Sequence, residues 1–357
     1  MVKITVNARF MTRPPTGVDR VAIELINAVS RMPVNRNSRS IEFIAPARAK
    51  INEFYRDIPV RTCGNLTGQL WEQIELPRYV KDSVLVSPCN VGPILVKNQC
   101  LVIHDANVFL MPNAYSFLFR LWYRMLLPRL ARKVETVLTV SEYSKSQLEK
   151  FNVVKIGKSI VVPNGGDHIL SVESDSRILD RECLLPNKYF MVIGSKSLHK
   201  NLNVLLDAMN LESSSSHTLV VAGGVDENVY ARSEFTSARN VRYVGRVSDQ
   251  ELKALYENTI ALLFPSTYEG FGLPPLEAMY VGCPVIASNT SAIPEVCGDA
   301  VLYADPLNPS TWLERMNLIS ADEKLRNSMI NAGYERAKKY SWSKAAQKLI
   351  KTIMTRK

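Results

Sequence analysis

The chain has 357 residues, 46% hydrophobic and 22% charged, a globular composition too long for one ordinary core, so two domains are expected. Its net charge of +10 calls for an anionic partner, and with no dense Lys/Arg cluster or aromatic stacking pattern that partner is a membrane face or a phosphorylated ligand rather than nucleic acid. No uncharged apolar run reaches bilayer length, the opening MVKITVNARF reads as a first strand rather than a signal peptide, and the six cysteines contain no C-x-x-C pair, which fits a reducing cytoplasm and argues against zinc or a disulfide framework.

Lys3 to Arg9 alternates as a strand, TRPPTG follows as a loop, and from Asp19 the apolar positions Val21, Ala22, Leu25, Ile26 and Val29 recur at helical spacing. This opening unit has one glycine, Gly17, and no G-x-G-x-x-G, so a dinucleotide fingerprint is absent. Strand-like runs follow at 41–45, 84–87, 100–103, 136–140 and 159–162, with helical segments between several of them, the signature of a parallel sheet. The run at 100–103 ends in His104-Asp105, and ligands gather at the carboxyl ends of such strands. Residues 114–134 form a helical, aromatic and basic stretch interrupted at Pro128. It reads either as a helix packed on the sheet with a solvated Arg face or as a membrane-surface contact.

Residues 171–187 are polar and aperiodic and read as a linker. A second β/α series starts at Tyr189 to Ile193, and the run Ser213 to Ser216 reads as a flexible loop. Thr259 to Phe264 is a short apolar strand, followed by a loop with Gly270 and Gly272 and by a helix opened by Pro274 and Pro275. Glu269 lies in that loop and Glu277 in the first turn of the helix. Strand, glycine loop and helix N-terminus hold anions, because backbone N–H groups and the positive helix end converge there. Carboxylates beside an anion site suit the vicinal hydroxyls of a ribose or sugar. The combination predicts a nucleotide-sugar site. After Asp305 the chain is helical, ending in an amphipathic helix at WSKAAQKLIKTIM.

PSTYEGFGLPPLEAM, followed by GCPVIAS and PEVCGDAVLYADP, resembles the retaining glycosyltransferases of family 4, and further matches lie in family order. These are TGVDR, WEQIELP at 71–77, IHD at 103–105, TVSEYSKSQL at 139–148, VPNGGD at 162–167, HKNL at 199–202 and YSW at 340–342. The resemblance implies the α/β GT-B fold, two Rossmann-like domains facing a cleft. The acceptor domain would span 1–170 together with 341–357, and the donor domain 188–340, after the linker at 171–187. It implies that Glu269 binds hydroxyls of the donor sugar and Glu277 the ribose. N–H groups of Gly270, Phe271, Gly272 and Leu273 would meet the diphosphate or sugar, Lys200 would neutralise the diphosphate, Gly17 would form a glycine loop against it, and His104 would lie near the reacting carbon.

Two positions depart from the family. Ser195 follows Gly194 where an arginine is common, and His199 precedes the lysine where an arginine is also common, so Lys196 or Arg246 would substitute. The resemblance implies a hexosyltransferase, and the absence of any Asp-x-Asp triplet or histidine ligand spacing predicts one that needs no metal and no cofactor. Its donor would be a nucleotide-diphosphate sugar, GDP-mannose first and UDP- or dTDP-sugars next. Its acceptor would be a saccharide or polyprenyl-linked saccharide of surface polysaccharide assembly. The expected location is the cytoplasm, with peripheral contact at the inner membrane face as the alternative. An epimerase or phosphorylase of the same fold, or a non-catalytic nucleotide-sugar binder, are the rival readings.

Overall fold

The computed structural model describes residues 2–32, 39–111, 116–194, 197–211, 217–224 and 240–355. Ser195, Lys196 and the run Ser213 to Ser216 lie outside them. The chain forms two compact units, Met1–Asn164 with Trp342–Lys357, and Gly165–Ser341.

The first unit is built on seven strands: β1 (Val2–Asn7), β2 (Arg39–Pro46), β3 (Val60–Cys63), β4 (Val84–Ser87), β5 (Gln99–Val102), β6 (Thr136–Thr139) and β7 (Ser159–Val161). Their order is β3-β2-β1-β4-β5-β6-β7, and every pairing is parallel. The order reverses between β1 and β4, so a crevice opens at the carboxyl ends of those two strands. The helix Gly17–Arg31 starts at a Thr16 cap closed by Asp19 and buries the predicted stripe Val21, Ala22, Leu25, Ile26 and Val29. The terminal helix Trp342–Met354 packs against it, burying Trp342, Ala345, Ala346, Leu349, Ile350 and Ile353.

The helix Phe117–Lys133 runs unbroken through Pro128, where the sequence predicts an interruption. A mid-helix proline removes one N–H and crowds the turn before it. Here Arg129 Nη1 donates to Met125 O at 2.8 Å, giving a carbonyl of that turn a side-chain partner, while Leu126, Leu127, Leu130 and Ala131 anchor the helix to the core.

The second unit holds β8 (Tyr189–Ile193), β9 (Thr218–Ala222), β10 (Val241–Gly245), β11 (Leu262–Phe264), β12 (Val285–Ser288) and β13 (Leu302–Ala304). Their order is β10-β9-β8-β11-β12-β13, again wholly parallel, with the reversal between β8 and β11. The segment read as a linker, 171–187, instead contains a helix, Arg177–Arg181, that packs on the helix Asp249–Asn258. Asp175 N donates to Gln250 O at 3.1 Å, and Arg181 pairs with Glu251 at 2.6 Å. Its buried Ile178 and Leu179 make it part of the second unit. Gly223 sits at φ +128°, and a Cβ there would meet Gly194 O at 2.2 Å, so only glycine lets the ends of β8 and β9 approach this closely.

Trp312 is fully buried in the core of this unit with Leu205, Leu219, Leu263 and Ile286, and its Nε1 donates to Asp305 O at 2.8 Å. Trp312→Ala removes both the packing and the donor, and is expected to lower unfolding free energy by about 3–5 kcal/mol in urea denaturation. A loss below about 1 kcal/mol would contradict this packing.

Candidate active site

The reversal between β8 and β11 places two loops side by side. After β8 the chain makes a tight turn at Leu198–Lys200, and Asn201 then takes the left-handed conformation (φ 52°). Asn201 Nδ2 donates to Pro265 O at 3.1 Å and to Pro306 O at 2.7 Å. Thr267 N donates to His199 O at 2.8 Å. These bonds fix the lysine turn to the loops that follow β11 and β13, and Lys200 Nζ reaches Glu269 Oε1 at 2.7 Å. The same ammonium lies 5.3 Å from the centroid of the Phe264 ring, a cation–π contact. Glu269 is itself held at the backbone, its N–H donating to Ser291 Oγ at 3.0 Å. Two charges that the sequence places 69 positions apart thus form one preorganised pair at a strand end.

Gly272, at φ +113°, caps the helix Leu273–Tyr280, and the two prolines occupy its second and third positions. First-turn N–H groups have no intrahelical acceptor, and since Pro274 and Pro275 have no N–H, the positive end offers the donors of Gly272 and Leu273. Phe271 turns its ring inward against Tyr340, centroids 5.7 Å apart at 83°.

Glu277 is the fifth helical residue, one position further in than the sequence suggested, because Leu273 rather than Pro274 begins the helix. A buried acid there is not explained by the helix end. It is held by side chains instead: His168 Nε2 lies 3.1 Å from Oε1, and Tyr256 OH donates to Oε2 at 3.2 Å. Each carboxylate oxygen has two acceptor sites, so both retain capacity for a ligand hydroxyl. His168 and Tyr256 escaped sequence analysis. VPNGGD ends one residue before His168, which is the only signal that could have flagged it.

Beside the pair, burial pushes the His199 imidazole below its usual range, with Glu269 opposing and Lys200 reinforcing the shift. Its Nδ1 is buried without a hydrogen-bond partner among the described residues. Arg246 is exposed, and its Nε lies 3.3 Å from where a side chain at Gly224 would begin. Ser195 and Lys196 fall outside the described residues.

Gly17 and His104 belong to the first unit. Gly17 opens its helix with free space around its Cα. His104 follows β5, is buried, and donates Nε2–H to Pro88 O at 2.7 Å, while its own carbonyl accepts from Ser144 Oγ at 2.9 Å. Burial lowers its pKa, outweighing the hydrogen bond to Pro88. The ring is therefore a neutral imidazole fixed in the tautomer that leaves Nδ1 as acceptor.

The family described as Glycosyl transferases group 1 matches residues 182–336, most of the second unit and both loops of the site. The chain is 32% identical over 224 residues to the O-antigen chain mannosyltransferase RfbU of Salmonella typhimurium, a match covering 61% of this chain and 60% of that one. It is 28% identical over 289 residues to the O-antigen chain mannosyltransferase B of Escherichia coli, covering 76% and 74%. The match thus spans about three fifths of the first relative's length. Among solved structures, Anabaena Alr3699/HepE in complex with UDP and glucose superposes with a TM-score of 0.76 over 100% of both chains at 18% identity, a likeness of fold. The chain has the GT-B fold, and its residues 182–336 match the group 1 glycosyltransferases.

Proposed function

We propose that the protein is a retaining, metal-independent mannosyltransferase of surface polysaccharide assembly, moving a hexose from a nucleotide-diphosphate sugar to a saccharide or lipid-linked saccharide. The observation that carries this reading is the Lys200–Glu269 pair at the β8/β11 reversal, with Glu277 held in the helix that follows. On ligand entry the ammonium turns to the leaving diphosphate, and the carboxylate is released to accept hydroxyl groups of the sugar. The first-turn donors share the phosphate charge as it develops. Glu277 accepts from the ribose. His104 and Glu269 position and polarise the reacting groups, and the departing phosphate takes the acceptor proton. The relatives named as mannosyltransferases support mannose as the sugar moved, and GDP-mannose is the donor proposed first. The test is transfer from GDP-, UDP- and dTDP-hexoses to a mannosylated acceptor, with the product anomer read by NMR. An α-linkage formed from an α-donor supports the proposal, whereas hydrolysis-free binding without transfer, or inversion, refutes it.

The helix Phe117–Lys133 bears on the setting. Phe117 and Leu118 are 66% and 76% exposed, and Leu121, Trp122 and Met125 share their side of the helix. Arg129, Arg132 and Lys133 follow at its C-terminal end. An apolar stripe ending in cations suits an anionic bilayer surface, where each basic residue contributes about 1 kcal/mol. No helix among the described residues is long and apolar enough to cross a membrane. Flotation with anionic liposomes is expected to carry the protein at low salt and release it at high salt. Leu118→Glu with Trp122→Glu is expected to abolish flotation without altering the unfolding midpoint, and flotation retained by that variant would refute membrane docking through this face.

A further inference from the structure

The first unit has its own strand-order reversal, between β1 and β4, and a cavity of about 170 Å³ lies there. The chain after β1 supplies Arg9 and Arg13, the chain after β4 supplies Pro88 and Cys89, and Glu72 and Tyr123 complete the wall. An apolar cavity of about 150 Å³ admits a benzene ring, so this one takes a single group of ring or phosphate size.

The charges of its wall, and of Asp19 behind Arg13, are sorted by depth. Glu72 and Asp19 are 1% and 0% exposed, whereas the Arg9 and Arg13 side chains are 25% and 52% exposed. The carboxylates already serve neighbours. Glu72 Oε1 accepts from Asn7 Nδ2 at 2.6 Å and faces Arg9 Nε at 3.1 Å. Asp19 accepts from Thr16 N and Oγ1 at 2.9 and 2.7 Å and from Arg13 Nη2 at 2.7 Å, with the Cys89 thiol at 3.5 Å. The acids therefore hold the guanidiniums, and each guanidinium has five N–H donors of which these contacts use a minority. The lining thus sets two guanidiniums against the one carboxylate of Glu72, whose Oε1 already serves Asn7 and Arg9. The balance is cationic, and paired guanidiniums suit a phosphoryl anion.

The wall on the other side is the helix Phe117–Lys133. Phe119 and Tyr123 stack at 4.3 Å and face the cavity from its inner flank, while its outer face carries the apolar stripe. One helix thus separates a cationic pocket from an apolar surface, the arrangement an amphiphile with a phosphorylated head requires. Pro88, at the cavity wall, also holds His104. We propose that this cavity binds the phosphate or diphosphate of a lipid-linked acceptor, with the lipid lying along the outer face of the helix. The acceptor role rests on the function proposed above; the phosphoryl site does not.

The test is isothermal titration of the full chain with farnesyl diphosphate and with farnesol, in saturating GDP and UDP so that the second unit's phosphate site is filled. Farnesyl diphosphate is expected to bind at least about tenfold tighter than farnesol. Arg9→Gln and Arg13→Gln are each expected to weaken it about 10- to 100-fold, the loss of charge-assisted hydrogen bonds. Arg13→Gln, at a half-exposed side chain, keeps the test open should Arg9→Gln unfold. Equal affinity for diphosphate and alcohol, or unchanged affinity in a folded variant, overturns the site. Diphosphate binding without sugar transfer from any donor would refute the proposed function and leave the cavity assignment standing.

Discussion

Lys200→Ala is expected to cut kcat for transfer about 10²–10³-fold, the range for removing one preorganised donor from a developing anion, while the wild type keeps its activity in EDTA. The chain has no Asp-x-Asp triplet, and no group of three His, Cys, Asp or Glu side chains suited to a metal occurs among the described residues. In the proposed mechanism, charge on the leaving diphosphate falls to Lys200, the helix donors at 272–273 and the residues beside them, with the larger share on the lysine because histidine stands at 199. The variant should remain folded, because the Glu269 partner keeps contact with water at 15% exposure and its backbone bonds are untouched. Wild-type turnover abolished by EDTA and restored by Mg²⁺ or Mn²⁺ would show that a metal, not the lysine, handles the phosphate.

The second large effect separates the two carboxylates. Glu277→Gln is expected to weaken nucleoside diphosphate and donor alike, by about 10- to 100-fold for loss of a charged hydrogen-bond acceptor. Glutamine is the better probe than alanine, since it leaves an acceptor for Tyr256 and avoids stranding His168 and Tyr256 in a buried site. Glu269→Ala is expected to leave nucleoside diphosphate affinity within about threefold and to reduce turnover about 10²-fold, as the proposed contact with the sugar alone requires. Isothermal titration decides between them. Equal loss of nucleotide affinity in both variants would remove the division of labour.

The particular residues show what sequence pattern reaches and what it does not. The strands at 84–87 and 189–193 fall where alternation and apolar runs place them, since their side chains are decided locally by burial. β3 went unseen because its residues are mostly exposed at the sheet edge, so Val60–Cys63 carries no apolar run. Glu269 and Lys200 were each legible from motif and spacing, but not their pairing, which Asn201 and Thr267 enforce through contacts between distant loops. Glu277 was legible as a residue, while its His168 and Tyr256 partners were not, because nothing local in those stretches distinguishes them. The cationic cavity was the least visible. T-x-x-D at 16–19 is a capping signature, yet the same Asp19 also holds Arg13 and meets Cys89, and only the fold discloses that.

The most direct measurement is a thermal-unfolding panel of the full chain with GDP, UDP and dTDP in EDTA, run on the wild type and on Glu277→Gln. One nucleoside diphosphate is expected to stabilise the wild type by about 2.7 kcal/mol at one hundred times its Kd, and at that concentration to give the variant a clearly smaller shift. A wild type whose unfolding midpoint moves with none of the three would contradict a nucleotide-sugar site at Lys200, Glu269 and Glu277.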